Sequence, residues 1–150
     1  KLQNSSKDNE DVMRQTRSFY MQANILIRKF SKCSFDVKIK LFHSYCSAMY
    51  CAHLWTNANM QSLNKVRVSY NNAFRKFLGY TRDSSASGMF VSNRLNTFDA
   101  LWRHQIYKFC ERMEHTNNML VQVILSSDLF LCSSLRSRWR NLLYIREWCT

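Results

Sequence analysis

The sequence contains no proline and only two glycines, Gly79 and Gly88, among its 150 residues. β-Hairpins depend on these two residue types for their tight turns, so the composition argues against a fold built from hairpins. Hydrophobic residues make up 46% of the chain, which is ample for the core of one domain of this length. The sequence therefore predicts a single all-α domain.

Acidic residues are also scarce, and they are unevenly distributed. The chain has 22 Lys and Arg against 10 Asp and Glu, a formal net charge of +12. Residues 12 to 82 contain twelve Lys or Arg and one acid, Asp36, so this stretch alone carries a net +11. Because a cluster of like charges repels itself, we expect it to face a polyanion, with nucleic acid first and an anionic membrane surface second.

Long apolar runs and metal-binding motifs are absent as well. No uncharged apolar run approaches ~20 residues and no signal-peptide pattern opens the chain, so we expect a soluble intracellular protein without a membrane span. The six cysteines form no Cys-x-x-Cys pair, and we interpret them as reduced thiols of a cytoplasmic or nuclear protein. The four histidines, which have no catalytic partner at a suggestive spacing, are interpreted as structural or surface residues: His43, His53, His104 and His115.

The longest apolar stretch, Asp36 to Trp55, is predicted to be one helix that is buried on nearly every face. At helical pitch its polar residues form only a narrow strip of Lys40, His43, Ser44 and Ser47. We therefore expect a bundle of about six helices that packs around this central helix.

Amphipathic helices are predicted on both sides of it. The first begins at Asp8, Glu10 and Asp11, where a cap and the helix dipole favour acids, and ends near Ser31. Its apolar and polar faces are separated, and the polar face contains Arg14, Arg17, Met21, Asn24 and Arg28. The third helix, residues 62–78, ends at Gly79 and has a polar row beside its apolar face, namely Asn64, Arg67, Asn71 and Arg75.

The remaining sequence predicts a C-terminal helical extension. We divide the chain into a polar tail (1–8), a three-helix unit (9–82), a Ser-rich loop (83–96) and the extension (97–150). Within the loop, SASGMFV can add a short helical turn. A helix that starts at Asn96 or Thr97 should break near residues 115–118, followed by helices over 119–125 and from Leu135 to about Trp148.

Four segments also carry a resemblance to a known family through their order and spacing. They are ANILIRKFSKCSFDVKIKLFHSYCSAMYCAHLW, SLNKVRVSYNNAFRKFLGY, SASGMF and FDALWRHQIYKFCERM. Over roughly residues 12 to 145 the chain resembles the thumb and C-terminal region that follows the palm in LINE-type (non-LTR) retrotransposon reverse transcriptases. The resemblance implies a helical thumb that holds a template–primer duplex of RNA and DNA beside the fingers and palm of the same polyprotein.

The catalytic features of that family have no counterpart in this sequence. No two aspartates are adjacent, so the Tyr/Phe-x-Asp-Asp turn is missing, and so is the Cys/His knuckle of some relatives. We therefore predict no catalytic residue and no enzymatic activity for this chain alone. Mg²⁺ is expected only in the palm of such a polymerase, and no cofactor or metal is expected in this chain.

We predict that a set of basic and amide side chains contacts the phosphates of the duplex: Arg14, Arg17, Asn24, Arg28, Lys32, Arg67, Asn71, Arg75 and Arg82. Phosphate contacts give affinity without base readout, as a protein that slides on its template requires. Two alternatives stay open for these residues, since the first-helix stripe could be a solvated face and the row on the third helix could make internal hydrogen bonds. Two other functions also stay open, a basic helical module for anionic membranes and a protein–protein scaffold.

Overall fold

The computed structural model describes residues 8–47, 49–55 and 57–144. Within these ranges the chain folds into eight α-helices and no β-strand, which confirms the all-α prediction. The helices are α1 (Asn9–Phe30), α2 (Phe35–Cys46), α3 (Met60–Leu78), α4 (Ala86–Ser92), α5 (Phe98–Glu114), α6 (Met119–Ser126), α7 (Asp128–Leu131) and α8 (Ser134–Leu143), with a 3-10 turn at Ala52–Leu54. The polar tail up to residue 7, Cys149 and the predicted end of the last helix lie outside the described residues.

Helix α3 is the most deeply buried element of the fold. Seven of its side chains are buried, namely Leu63, Val66, Ser69, Tyr70, Ala73, Phe74 and Phe77. Helix α1 packs against it in parallel, since Phe19 lies beside Tyr70 and both helices start at the same end of the bundle. Helix α2 is antiparallel to α3, with the Phe42 ring 5.0 Å from that of Phe74. Helices α1, α2 and α3 therefore pack together, and Gly79 ends α3 at φ 80° as expected.

The predicted helix from Asp36 to Trp55 is wrong in its length and in its burial. Helix α2 ends at Cys46, and Cys51 adopts the left-handed conformation at φ 55°. Tyr45 is 54% exposed and Tyr50 is 72% exposed, while Phe42 and Cys46 are buried. An apolar pattern that covers every face cannot show where a helix stops, because it lacks the polar side that sets the period. The central place that we predicted for this stretch belongs to α3.

Three tryptophans hold the segment that replaces the second half of that predicted helix. The indole N–H of Trp102 in α5 donates to the Ala52 carbonyl at 2.7 Å, and that of Trp139 in α8 donates to the His53 carbonyl at 2.8 Å. Trp55 itself donates to Asp11 Oδ2 in α1 at 3.0 Å. Each bond satisfies a polar group in a region that is otherwise apolar, so the segment 49–55 is fixed by tertiary contacts.

The acidic start of α1 has a different role from the predicted cap. Asp8 precedes the helix but makes no side-chain cap hydrogen bond. Instead, its carboxylate accepts the N–H of Asn57 at 2.7 Å, and Asn9 Oδ1 accepts the N–H of Asn59 at 2.8 Å. The first turn of α1 thus anchors the segment that leads into α3.

The predicted Ser-rich loop contains helix α4, which is longer than the single turn that we allowed. Met89 and Phe90 are buried, and the Phe90 ring stacks on Tyr70 and Phe74 of α3 at 5.3 and 4.6 Å. These two apolar side chains explain why a short stretch rich in Ser and Gly is helical, since their burial against α3 offsets its weak helix propensity.

The C-terminal extension packs less tightly than the three-helix unit. Helix α5 starts after Thr97, whose side chain caps the Ala100 N–H, and buries Phe98, Leu101, Trp102 and Ile106. Helix α6 has no buried residue and leaves four apolar side chains 57–80% exposed, namely Met119, Leu120, Val123 and Ile124. Across the described residues, no helix combines the length and the apolar character that crossing a lipid bilayer would require.

Candidate nucleic-acid interface

The outer face of α1 presents the basic stripe that the sequence predicts. Arg14, Arg17, Asn24 and Arg28 are all exposed, and the buried residues Val12, Ala23 and Leu26 lie on the opposite side of the helix. Arg17 and Arg28 make no salt bridge with any of the described residues. Their positive charges are therefore open to solvent and to a polyanion.

The packing of α1 against α3 adds two lysines to this stripe. Tyr20 Oη lies 2.7 Å from Ser69 Oγ, and Asn9 bonds to Asn59, so residues about 49 positions apart lie at the same level of the two helices. At 100° per residue Lys65 and Lys76 lie within about 40° of Ser69 around α3, and both are exposed. Lys65 is thus level with Arg17, and Lys76 is level with Arg28. We call these four residues the α1–α3 basic face: Arg17, Arg28, Lys65 and Lys76.

The α1–α3 basic face extends along both helices. Its two levels are 11 residues apart, which is about 16 Å at 1.5 Å per residue. Successive phosphates of one DNA strand are about 3.4 Å apart along the axis, so a duplex lying on this face passes several phosphates between the two levels. The face has the length for a multi-point contact with a nucleic-acid backbone.

Arg14 differs from the other arginines of the stripe because it has a carboxylate partner. Its guanidinium pairs with Asp11, one turn earlier, and Asp11 also accepts the Trp55 indole. The Arg14 side chain is 69% exposed, so the pair is screened by water and contributes little to stability. Part of its charge is nevertheless already compensated, and we expect Arg14 to bind a phosphate less well than Arg17.

Arg67 is half-buried and is held against α5 by a two-point contact. Its Nε donates to Asp99 Oδ2 at 2.9 Å and its Nη2 donates to Asp99 Oδ1 at 2.7 Å, while Nη1 donates to Asn64. The hydrogen bond to Asp99 raises the pKa of the Arg67 guanidinium, and this effect outweighs the lowering by burial. A phosphate that reached Arg67 would have to displace a well-oriented carboxylate.

Arg75 also makes internal hydrogen bonds. Its Nη2 donates to the Ser84 carbonyl at 2.9 Å and its Nη1 donates to Asn72 at 3.2 Å, which ties α3 to the turn that follows it. Its Nε is buried and has no hydrogen-bond partner among the described residues. Asn71, the third member of the predicted row, is half-buried between these two arginines.

Lys32 and Arg82 lie at the end of the bundle where α1 and α3 finish. The ring of Phe35, three residues after Lys32, meets the ring of Tyr80 edge-on at 6.5 Å, which brings the turn after α1 close to the turn after α3. Both basic side chains are exposed. They extend the positive surface beyond the C-terminal end of α1.

The nine predicted residues therefore do not form one surface. Arg67 lies about 160° from Ser69 around α3, at 100° per residue, on the side that faces α5 and not α1. The sequence indicated the basic stripe of α1 through its period, but it did not indicate Lys65 and Lys76. Only the register of α1 against α3 identifies these two lysines, because their own helix already has a more conspicuous row of arginines.

Two of the described cysteines, Cys46 and Cys110, serve as packing groups. The five described thiols are free, and of these only Cys46 is buried: Cys33, Cys46, Cys51, Cys110 and Cys132. Burial raises the pKa of Cys46 to about 12, and burial also raises the pKa of Cys110. A thiol that stays protonated is a poor nucleophile and a poor metal ligand, so these two side chains act as packing groups. Among the described residues there is no cluster of three His, Cys, Asp or Glu that could hold a metal.

Comparison of the chain with protein-family models, with curated proteins and with solved structures finds no match.

Proposed function

We propose that this chain is the nucleic-acid-holding thumb and C-terminal portion of a LINE-type retrotransposon reverse transcriptase. In this proposal it grips a template–primer duplex of RNA and DNA through sugar–phosphate contacts, and the palm of the same polyprotein supplies the polymerase carboxylates and their Mg²⁺. The resemblance of four ordered segments supports the identity of the enzyme. One structural observation supports the mode of binding, which is the α1–α3 basic face.

The charge distribution favours phosphate contact over a merely solvated surface. A solvated helix usually mixes acids with its bases and forms pairs three or four residues apart, which stabilise the helix. Among the described residues, no salt bridge is made by the four members of the α1–α3 basic face, whereas Arg14 pairs with Asp11 on its own helix and Arg67 pairs with Asp99 on α5. Like charges held on one face carry an electrostatic cost that a polyanion would relieve.

The test is the salt dependence of duplex binding by the intact 150-residue chain. The affinity for an RNA–DNA duplex should fall steeply with salt, with a log–log slope of about −0.9 for each phosphate neutralised. Each Ala substitution in the α1–α3 basic face, at Arg17, Arg28, Lys65 or Lys76, should reduce that slope by about one. It should weaken the binding of duplexes of unrelated sequence to the same extent, since phosphates carry no base information. Fluorescence anisotropy over a salt series measures both quantities.

Two matched variants serve as controls for this test. Arg138→Ala removes an exposed arginine of α8, away from the α1–α3 basic face, and should leave the slope unchanged. Arg67→Ala should lower stability through loss of the Asp99 contact and change the slope less than Arg17→Ala. If all four basic-face variants bind like Arg138→Ala, the duplex-holding proposal is wrong.

A second candidate function is a protein–protein contact through α6 and α7. The apolar side chains that α6 exposes favour it, together with Leu129 of α7, which is 88% exposed. Residues 116–135 contain a single charge, Asp128, so this surface has no cations for the headgroups of an anionic membrane. In a polyprotein, the surface would suit the fingers or palm as its partner. Co-purification with a separately expressed palm, abolished by Val123→Lys, would support this candidate.

A further inference from the structure

An open groove follows the segment 49–55, with α1 and α3 along one half of it and α5 along the other half. Two adjoining cavities of about 430 and 480 Å³ share Met49, Tyr50 and Gln105 in their linings, so they form one continuous groove. Small-molecule sites typically measure about 300 to 1,000 Å³, so each half has room for a base with its sugar. We call it the α1–α5 groove.

Three glutamines line the groove and lack protein partners. Gln15 and Gln22 project from α1 and Gln105 from α5. Each is half-buried, and its carboxamide makes no hydrogen bond within the described residues. Because the groove is open to solvent, these carboxamides keep their donors and acceptors available to a polar ligand. A carboxamide carries a donor and an acceptor side by side, which matches the edge of a nucleobase such as adenine.

Tyr50 stands where the two halves of the groove meet. It lines both cavities, it is 72% exposed, and its ring contacts no other aromatic ring among the described residues. Proteins that bind single strands stack unpaired bases on aromatic rings of this kind and read the base edges with nearby polar groups. Tyr50 and the glutamines combine these two elements in one place.

The charges of the groove fit an unpaired strand better than a duplex. Its α5 wall carries Lys108, Glu111 and Arg112, a net charge of +1. Lys108 and Arg112 can each bind a phosphate on one side of a base, and the Glu111 carboxylate can accept a hydrogen bond from a base amino group. Gln22 lies about 120° around α1 from Arg28, at 100° per residue, so the groove is a different surface from the α1–α3 basic face.

We propose that the α1–α5 groove holds one or two unpaired bases of a single-stranded nucleic acid, stacked on Tyr50 and hydrogen-bonded by Gln22 and Gln105. This inference rests on the proposed function in one respect only, namely that the chain binds nucleic acid. The duplex lies on the α1–α3 basic face, and an unpaired stretch of the same or another strand enters the groove.

The experiment compares labelled single strands with a duplex at one salt concentration, using the intact chain and fluorescence anisotropy. Tyr50→Ala should weaken binding of single strands roughly 5- to 150-fold, the range found when one base-stacking aromatic is removed, and should leave duplex affinity unchanged. Tyr50→Phe, which keeps the ring, should restore most of the affinity. Tyr107→Ala is the matched control, because Tyr107 is 53% exposed on α5 but does not line the groove.

The glutamines are tested by base preference. Gln22→Ala and Gln105→Ala should reduce the difference in affinity between oligo(dA) and oligo(dT) without changing the slope of affinity against salt, since neither removes a charge. Oligo(rA) measured beside oligo(dA) shows whether RNA or DNA is the preferred source of the bases, because the two differ only in the 2′-hydroxyl.

The outcomes separate this inference from the proposed function. If the duplex binds through the basic face but Tyr50→Ala behaves like Tyr107→Ala, the groove proposal is overturned and the duplex proposal stands. If single strands bind in a Tyr50-dependent way and the duplex does not bind, the groove proposal stands alone. If neither nucleic acid binds, both proposals are overturned.

Discussion

Phe42 and Tyr45 are three residues apart on α2, yet their side chains are in opposite environments. Phe42 is 1% exposed and packs against Tyr70 and Phe74, whereas Tyr45 is 54% exposed. Phe42→Ala should therefore lower the free energy of unfolding by about 3 to 5 kcal/mol through lost burial and a cavity, and Tyr45→Ala by no more than about 0.5 kcal/mol. Urea unfolding of the two variants measures the difference. Equal losses would mean that α2 buries a different face.

His53 gives the fold a dependence on pH. Its ring stacks on Phe109 at 4.1 Å, and burial, followed by the nearby positive charge of Arg112, lowers its pKa below the ordinary value of 6.5. The unfolded chain thus takes up a proton at pH values where folded His53 stays neutral. The contribution of neutral His53 to the free energy of unfolding is complete above about pH 6.5, and it should be lost as the pH falls toward the lowered pKa.

The variant His53→Phe keeps a ring on Phe109 but cannot titrate. Between about pH 7.5 and about pH 5 the parent chain should lose more of its free energy of unfolding than this variant does. Urea midpoints of both proteins at the two pH values make the comparison. If the two proteins show parallel pH profiles, protonation of His53 does not affect folding.

At the scale of elements, α3 and α5 show how charge and packing work together. The Arg67–Asp99 contact joins the middle of α3 to the first turn of α5, where an acid also suits the helix dipole. Trp102 lies one helical turn after Asp99, and its indole N–H donates to the Ala52 carbonyl. One end of α5 is therefore fixed by an ion pair, a cap at Thr97 and an indole hydrogen bond within six residues.

Helix α6 has no buried residue in the described fold and leaves apolar side chains exposed. Its exposed residues include Val123, while Leu125 is half-buried and lines a cavity of about 270 Å³ next to α8. Val123→Lys should leave the free energy of unfolding within about 0.5 kcal/mol of the parent and should raise solubility. Leu125→Lys should destabilise the fold by about 1 to 3 kcal/mol, because it places a charge against that cavity lining.

Thermal unfolding and the protein concentration at which light scattering begins measure both effects. A Val123→Lys variant as unstable as Leu125→Lys would mean that α6 packs with its other face inward. Unchanged scattering with full stability would mean that the apolar face of α6 does not limit solubility.

At the scale of the whole molecule, the sequence predicted the fold wherever a helix has two distinct faces. The bounds of α1, α3 and α5 follow from the 3.6-residue period and from helix-end residues such as Thr97, which caps α5, and Gly79, which ends α3. The stretch 36–55 has no such contrast. Beyond the end of α2, the indoles of Trp102 and Trp139 donate to the carbonyls of Ala52 and His53, and no local sequence pattern contains these long-range contacts.

The candidate site was predictable to the same extent. The arginine stripe of α1 follows from its period, so Arg17 and Arg28 were identified. Asp11 pairs with Arg14 and Asp99 pairs with Arg67, so these two arginines are less available to a phosphate. Both contacts depend on how the side chains orient in the folded chain. Lys65, Lys76 and Tyr50 could not be selected without the tertiary fold, since the roles proposed for them depend on which helix lies beside them.

The indole contacts have a spectroscopic consequence. Trp55, Trp102 and Trp139 are nearly inaccessible to water, and all three meet at the junction of the segment 49–55 with α1, α5 and α8. The emission of these three fluorophores therefore reports on that junction alone. In a Trp148→Phe variant, which removes the fourth tryptophan, a denaturation curve followed by emission wavelength should coincide with one followed by circular dichroism only if the junction and the helices come apart in a single step.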